Sequence, residues 1–257
     1  VKVDLLLETF GSNWRDVREG ALAAERMGFD GVWVNDHLAG AVEHAPHVLE
    51  CWTVLSALAV EVPRITIGPM VLNVANRDAG TLAVMAATLQ HVSDGRLMIG
   101  IGAGARAGSA YAIEQEALGR LLPGDAERRR RVERTIGTLH RVWSGTVPPA
   151  TGFLQPEPIP PIVVAAMGPK MAEVGGRMGD GICVPVGSTM TQLVGAARRA
   201  RADSGRQPEG LLVAALLSSW PELSQRPVGP DVDRLVIYVA PPFDEAIGRL
   251  QGVVARW

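Results

Sequence analysis

Eight short apolar runs, each followed by a connecting segment, constrain this chain more than any other feature. They fall at residues 3–7, 32–34, 65–72, 97–101, 162–166, 182–186, 211–217 and 235–239. Each is nearly continuously apolar, as expected of strands covered on both faces, whereas a half-exposed strand would alternate with polar residues. Helical spacing fills the intervals, with Val17, Ala21, Ala24 and Met27 on one stripe, and Leu82, Met85, Leu89 and Val92 on another. A longer stripe carries Val132, Ile136, Leu139 and Trp143, and further helices are expected over 51–60, 169–178, 189–202 and 243–254. Asn13 with Asp16 marks one helix start, and Gly28 its end. The punctuation repeats: Arg26-Met27-Gly28-Phe29-Asp30-Gly31 is echoed by Arg177-Met178-Gly179-Asp180-Gly181, each time before a buried strand. Eight such units predict an α/β chain folded as a (β/α)8 TIM barrel, with residues 1–257 as one domain. Only the proline-rich stretch 221–233 separates the last two strands, so helix seven is expected to be shortened or missing.

Composition narrows the function classes. With 25 basic and 27 acidic residues mixed along the chain, nothing suggests a nucleic-acid footprint. The run Arg128 to Arg131 reads as a solvated helix face, with Glu127 and Glu133 as partners. Two distant cysteines, Cys51 and Cys183, give neither a disulfide framework nor a zinc pattern, and no metal site is expected. No apolar run approaches the roughly 18 residues of a membrane helix. The first residues read directly as a strand and no signal peptide is seen, so a cytoplasmic setting is expected.

The segment Gly100-Ile-Gly102-Ala-Gly104-Ala105 fits the glycine pattern of a dinucleotide-binding turn, with Asp125 at the spacing of a ribose ligand. That reading needs a helix to begin at the glycines. Helical periodicity returns only near Asp125, which itself reads as a helix start. On a barrel the same glycines end strand four, where active sites are built. There, Gly102 and Gly104 either let a flat ring lie against bare backbone or form a plain tight turn.

The block 68–104 (GPMVLNVANRDAGTLAVMAATLQHVSDGRLMIGIGAG) resembles the bacterial luciferase-like family, as do segments 23–38, 52–59 and 160–182. The resemblance implies the same barrel with a redox ring at its mouth, acting on a small-molecule substrate. The stretch VLNVANRD, 71–78, is closer to the branch that uses the deazaflavin coenzyme F-420, with FMN as the rival cofactor. In that branch a bulge with a non-prolyl cis peptide is expected around 72–74. A hydride-transferring oxidoreductase is therefore implied. An FMN monooxygenase and a non-enzymatic flavin-binding relative are the alternatives, and a homodimer formed through barrel helices is the implied assembly.

The candidate residues follow from position together with what the resemblance implies. His37, after Asp36 at the end of strand two, would move a proton. Asp36 would orient it or merely end the strand. Glu8, at the end of strand one, faces the same mouth as an acid, base, substrate ligand or rim ion pair. Asn73, Val74, Gly102, Ala103 and Gly104 would seat the ring. Gly168, Pro169 and Lys170, at a helix start, would hold a phosphate. Arg77 would touch the cofactor tail or pair with Asp78. Some relatives in the deazaflavin branch carry a tryptophan and a glutamate where this chain has Ala41 and Ala105.

Overall fold

The computed structural model describes residues 1–218 and 229–254. Strand β1 (Lys2–Leu7) leads to α1 (Trp14–Arg26), β2 (Gly31–Val34) and α2 (Cys51–Glu61). Strands β3 (Thr66–Pro69) and β4 (Leu72–Asn73) precede α3 (Ala79–Val92) and β5 (Ile99–Gly102). A short helix α4 (Ala112–Ala117) and the long α5 (Asp125–Trp143) come next, then a small hairpin of β6 (Thr146–Val147) and β7 (Ala150–Thr151). The chain continues through β8 (Ile162–Ala165), α6 (Pro169–Met178), β9 (Gly181–Pro185) and α7 (Met190–Asp203). It ends with β10 (Leu212–Leu217), β11 (Arg234–Val239) and α8 (Phe243–Val254).

Apart from the hairpin, the strands form one parallel sheet in the order β3-β2-β1-β11-β10-β9-β8-β5-β4. Its two ends meet. β3 reaches the lead-in to β5 through Ile67 and Leu97, and β4 pairs with β5 itself. β3 and β4 are thus the halves of one interrupted strand, and the ring is the expected eight-stranded barrel. The Met70–Val71 peptide between them is cis, just ahead of the expected 72–74 window. The expectation of a lost helix seven falls largely on 219–228, outside the described residues.

A period of two is hidden inside the apolar strands. Along β1 and its extension Asp4, Leu6 and Glu8 alternate inward, and along β11 Arg234, Val236 and Tyr238 do the same. The middle layer, with Trp33, Met70, Met98, Val163, Cys183 and Ala214, is an apolar plug. Below it Asp4 accepts hydrogen bonds from Arg234 Nε at 2.6 Å and Trp33 Nε1 at 2.9 Å. Above it the next layer opens toward solvent. The strands therefore look almost uniformly apolar in sequence, yet the inward faces of β1 and β11 are polar at both ends.

The repeated aspartate before each strand has a definite job. The Asp30 carboxylate accepts from the Val3 amide at 2.8 Å, and Asp180 does the same for Ile162 at 2.9 Å. Asp233 repeats the contact with Val213 at 2.7 Å. In each pair the aspartate amide also donates to the same partner's carbonyl. A strand start that would otherwise leave its amide unpaired is thereby tied to its neighbour.

Candidate functional site

The C-terminal ends of the strands surround a cavity of about 960 Å³. Its floor is the apolar plug, through Met70 and Cys183, and Val71, Ala165, Val184 and Leu216 form its walls. Burial pushes the Cys183 thiol up to about 12, so it stays a neutral wall group.

The opening glycines answer first to packing. A Cβ on Gly102 would lie 2.7 Å from Val71 Cγ2, and one on Gly100 would collide with the Pro69 carbonyl. Gly104 has φ of +75°, and a Cβ there would strike Asn73 Oδ1. No helix begins here; α4 starts at Ala112, and α5 starts at Asp125 as the periodicity predicts. Gly102, Ala103, Gly104 and Asn73 all line the cavity, so this close packing also leaves bare backbone along one wall. Val74 does not join them; its side chain packs in the core and its amide donates to the Gly102 carbonyl. Gly104→Ala is expected to cost about 2 kcal/mol or more, from the left-handed backbone and the displaced Asn73, read as a lower urea midpoint.

Asp36 is buried and fully engaged. Arg77 donates to both its oxygens, at 2.8 and 3.0 Å, and the Asn73 amide donates at 2.8 Å. Arg77 also pairs with Glu50, the N-cap of α2. Arg77 therefore joins neither a cofactor tail nor Asp78, which instead caps α3 through Thr81. Asp36 does not orient His37; it fixes the loop that carries Asn73.

The partner of His37 is Glu114, on α4. Its Oε1 lies 3.2 Å from His37 Nδ1, and its Oε2 accepts from the Leu38 amide at 2.8 Å. Burial would raise this carboxyl, but the bonds from His37, Leu38 and Ala39 outweigh it and hold the group below its ordinary value. The His37 ring is flanked by Phe10 and Tyr111, with centroids 5.1 and 5.3 Å away. His37 lines the main cavity and also a second one of about 340 Å³. Glu8 belongs to that second cavity, with Glu43 and Tyr238. Burial and the nearby Glu8 carboxylate push the Tyr238 hydroxyl upward, so it remains a protonated donor.

The rim of the main cavity is basic. Arg106, Arg128, Arg129 and Lys170 line it. Arg128 binds Asp125 and the Gly104 carbonyl, yet its Nε is buried without a partner. The arginine run is thus divided: Arg130 and Arg134 pair with Glu127 in solvent, while Arg128 and Arg129 face the cavity. Glu133 pairs with Arg177. At the start of α6, Pro169 has no N–H, and the Met171 and Ala172 amides already reach the Gly168 carbonyl. The groups left there for an anion are the amide and the exposed side chain of Lys170. The arrangement fits a flat, largely apolar molecule with an anionic tail.

The family model described as Luciferase-like monooxygenase matches residues 3–219. An F420-dependent glucose-6-phosphate dehydrogenase from Microbacterium testaceum is 32% identical over 188 residues, covering 68% of this chain and 53% of that protein. A phthiodiolone/phenolphthiodiolone dimycocerosates ketoreductase from Mycobacterium tuberculosis is 29% identical over 240 residues, covering 77% and 59%. The chain spans about half the length of the curated relatives it matches. Among solved structures, an F420-dependent secondary alcohol dehydrogenase in complex with an F420-acetone adduct superposes with a TM-score of 0.82. That match has 16% identity and covers 99% of this chain and 98% of the other.

Proposed function

We propose, from the premise that this chain belongs to the luciferase-like monooxygenase family, that it is a deazaflavin-dependent oxidoreductase acting on a small organic alcohol or carbonyl compound. The observation that carries this reading is the convergence, on one cavity, of an apolar ring bed, a basic rim and His37. Bound coenzyme F-420 would supply the hydride donor or acceptor. Met70, Val71, Ala103 and Gly104 would bed its ring. Arg128, with its unpartnered Nε, would hold the phosphate with Arg129, and Lys170 would add charge. His37 would give or take the substrate's hydroxyl proton. The names of the dehydrogenases and the ketoreductase above favour this chemistry over oxygen activation.

Glu8 then belongs to the substrate's side, since it borders the second cavity beyond His37. Ala41 and Ala105 remove two side chains that sugar-phosphate and alcohol dehydrogenases of this branch use. The substrate is therefore held differently here. No helix among the described residues is long and apolar enough to cross a membrane. Both thiols are buried and unpaired, which suits a cytoplasmic setting. A homodimer accompanies the reading, through the exposed Val60 of α2 and Val84 of α3. Ala59, Ala83, Ala86 and Ala87 are buried against this chain's own barrel and are not part of that face.

The test is equilibrium binding of coenzyme F-420 and of FMN, titrated separately into the purified protein. Tight binding of the deazaflavin alone supports the reading. Selective FMN binding would transfer the case to a monooxygenase, and failure of both would overturn the cofactor role. Arg129→Ala is expected to weaken a phosphate-bearing ligand roughly tenfold or more, the worth of a charge-assisted bond. Riboflavin, which lacks the phosphate, should bind the variant and the parent alike.

A further inference from the structure

We propose that Glu114 is the positioning residue for His37, fixing the ring so that Nε2 is the nitrogen that exchanges a proton with substrate; this rests on the oxidoreductase reading above. An ionised carboxylate can only accept hydrogen bonds. With Oε1 at 3.2 Å, Nδ1 must therefore be the protonated nitrogen of the neutral ring. Nε2 is left as the free acceptor of a residue that lines both cavities. The carboxylate is itself immobilised, being 2% exposed and tied to the Leu38 amide. Phe10 and Tyr111 pack against the ring, with centroids 5.1 and 5.3 Å away.

Other charged groups around the ring are engaged elsewhere. Asp36 is bound to Arg77, and Glu43 accepts from the Tyr111 hydroxyl at 2.7 Å. Glu8 faces Tyr238 across the second cavity. Glu114 is thus the acid seated on the imidazole. Where this chain has Ala105, the carboxylate at His37 comes instead from Glu114, nine residues further along on α4.

In the oxidative direction a bound oxidised deazaflavin would supply the acceptor for the hydride (the hydrogen and both electrons) of the substrate's carbinol C–H bond, and His37 Nε2 would take the hydroxyl proton. A carbonyl product and an imidazolium result. Nδ1–H still donates to Glu114, which remains a carboxylate and stabilises the new positive charge. Carbonyl reduction runs the same transfers backward. Glu114 neither gains nor loses a proton in either direction.

The experiment is nitrogen NMR on ¹⁵N-histidine-labelled protein without ligand, with the His37 signal assigned by its loss in His37→Gln. The expected neutral form carries the proton on Nδ1. In Glu114→Gln the carboxamide can donate as well as accept, so the single Nδ1–H tautomer should give way to a mixture with Nε2–H. With coenzyme F-420 and a competent substrate, turnover of that variant at neutral pH should fall about tenfold, with KM little changed. A proton on Nε2 in the parent protein would overturn the proposal, as would an unchanged single tautomer in a folded Glu114→Gln variant. Should Glu114→Gln not fold, the parent tautomer decides alone. The two readings fail separately: Nδ1–H without deazaflavin binding removes the function and keeps the pair, whereas deazaflavin turnover with Nε2–H does the reverse.

Discussion

His37→Ala is expected to lower turnover between about a hundredfold and ten-thousandfold, the range that general acid–base catalysis contributes. Deazaflavin affinity should stay within a few-fold, because the proposed ring bed lies on β4, β5 and the plug, and the proposed phosphate site on α5 and α6. The ring of His37 is held by Glu114, Phe10 and Tyr111, and Glu114 keeps the Leu38 amide as a partner when the imidazole is removed. Removing the imidazole leaves the O–H proton with no acceptor except water entering the enlarged cavity. Steady-state kinetics together with a cofactor titration separate these effects. A variant that binds coenzyme F-420 normally but loses less than about threefold in turnover would assign the proton to another group, and Glu8, across the second cavity, would be the next to replace.

How far the sequence led depended on whether a feature was local. The barrel was legible because each strand and each main helix announces itself within a dozen residues, as α6 does with Gly168-Pro169 at one end and Gly179 at the other. The placing of Gly102 and Gly104 at the mouth followed from strand order, and that of His37 and Asn73 from strand order together with the family resemblance. Glu114 was not legible: α4 has six residues, too few for a periodic stripe, and its partner lies 77 positions away. Arg128 and Arg129 were misread with their neighbours as solvated, since a run of four arginines carries no sign of which face meets a cavity. Asp36 had a visible position but an invisible partner, because Arg77 reaches it across 41 residues. The glycines were read for a ligand, whereas their closest neighbours are Val71, Pro69 and Asn73 of the adjoining strand.

Asp4→Asn, at the closed end of the barrel, is expected to cost about 3–5 kcal/mol of folding stability, the usual penalty for stranding one member of a buried ion pair. Arg234 is 3% exposed and donates twice to Asp4, through Nε at 2.6 Å and Nη2 at 2.7 Å. An asparagine keeps one acceptor oxygen and removes the charge, leaving the guanidinium beneath the Trp33 layer with no counter-ion among the described residues. Urea unfolding of the two proteins measures the loss. Pairing Asp4→Leu with Arg234→Met should recover much of it, because the penalty lies in the uncompensated charge and not in the absence of the pair. Asp4 and Glu8 are four residues apart along β1 and its extension, about 13 Å along the strand direction, with the apolar plug between them. The folded fraction of either variant should therefore bind deazaflavin like the parent. If Asp4→Asn instead proved neutral in stability while weakening the ligand, the plug would be transmitting change from floor to mouth, and the separation of a structural end from a chemical end would not hold for this barrel.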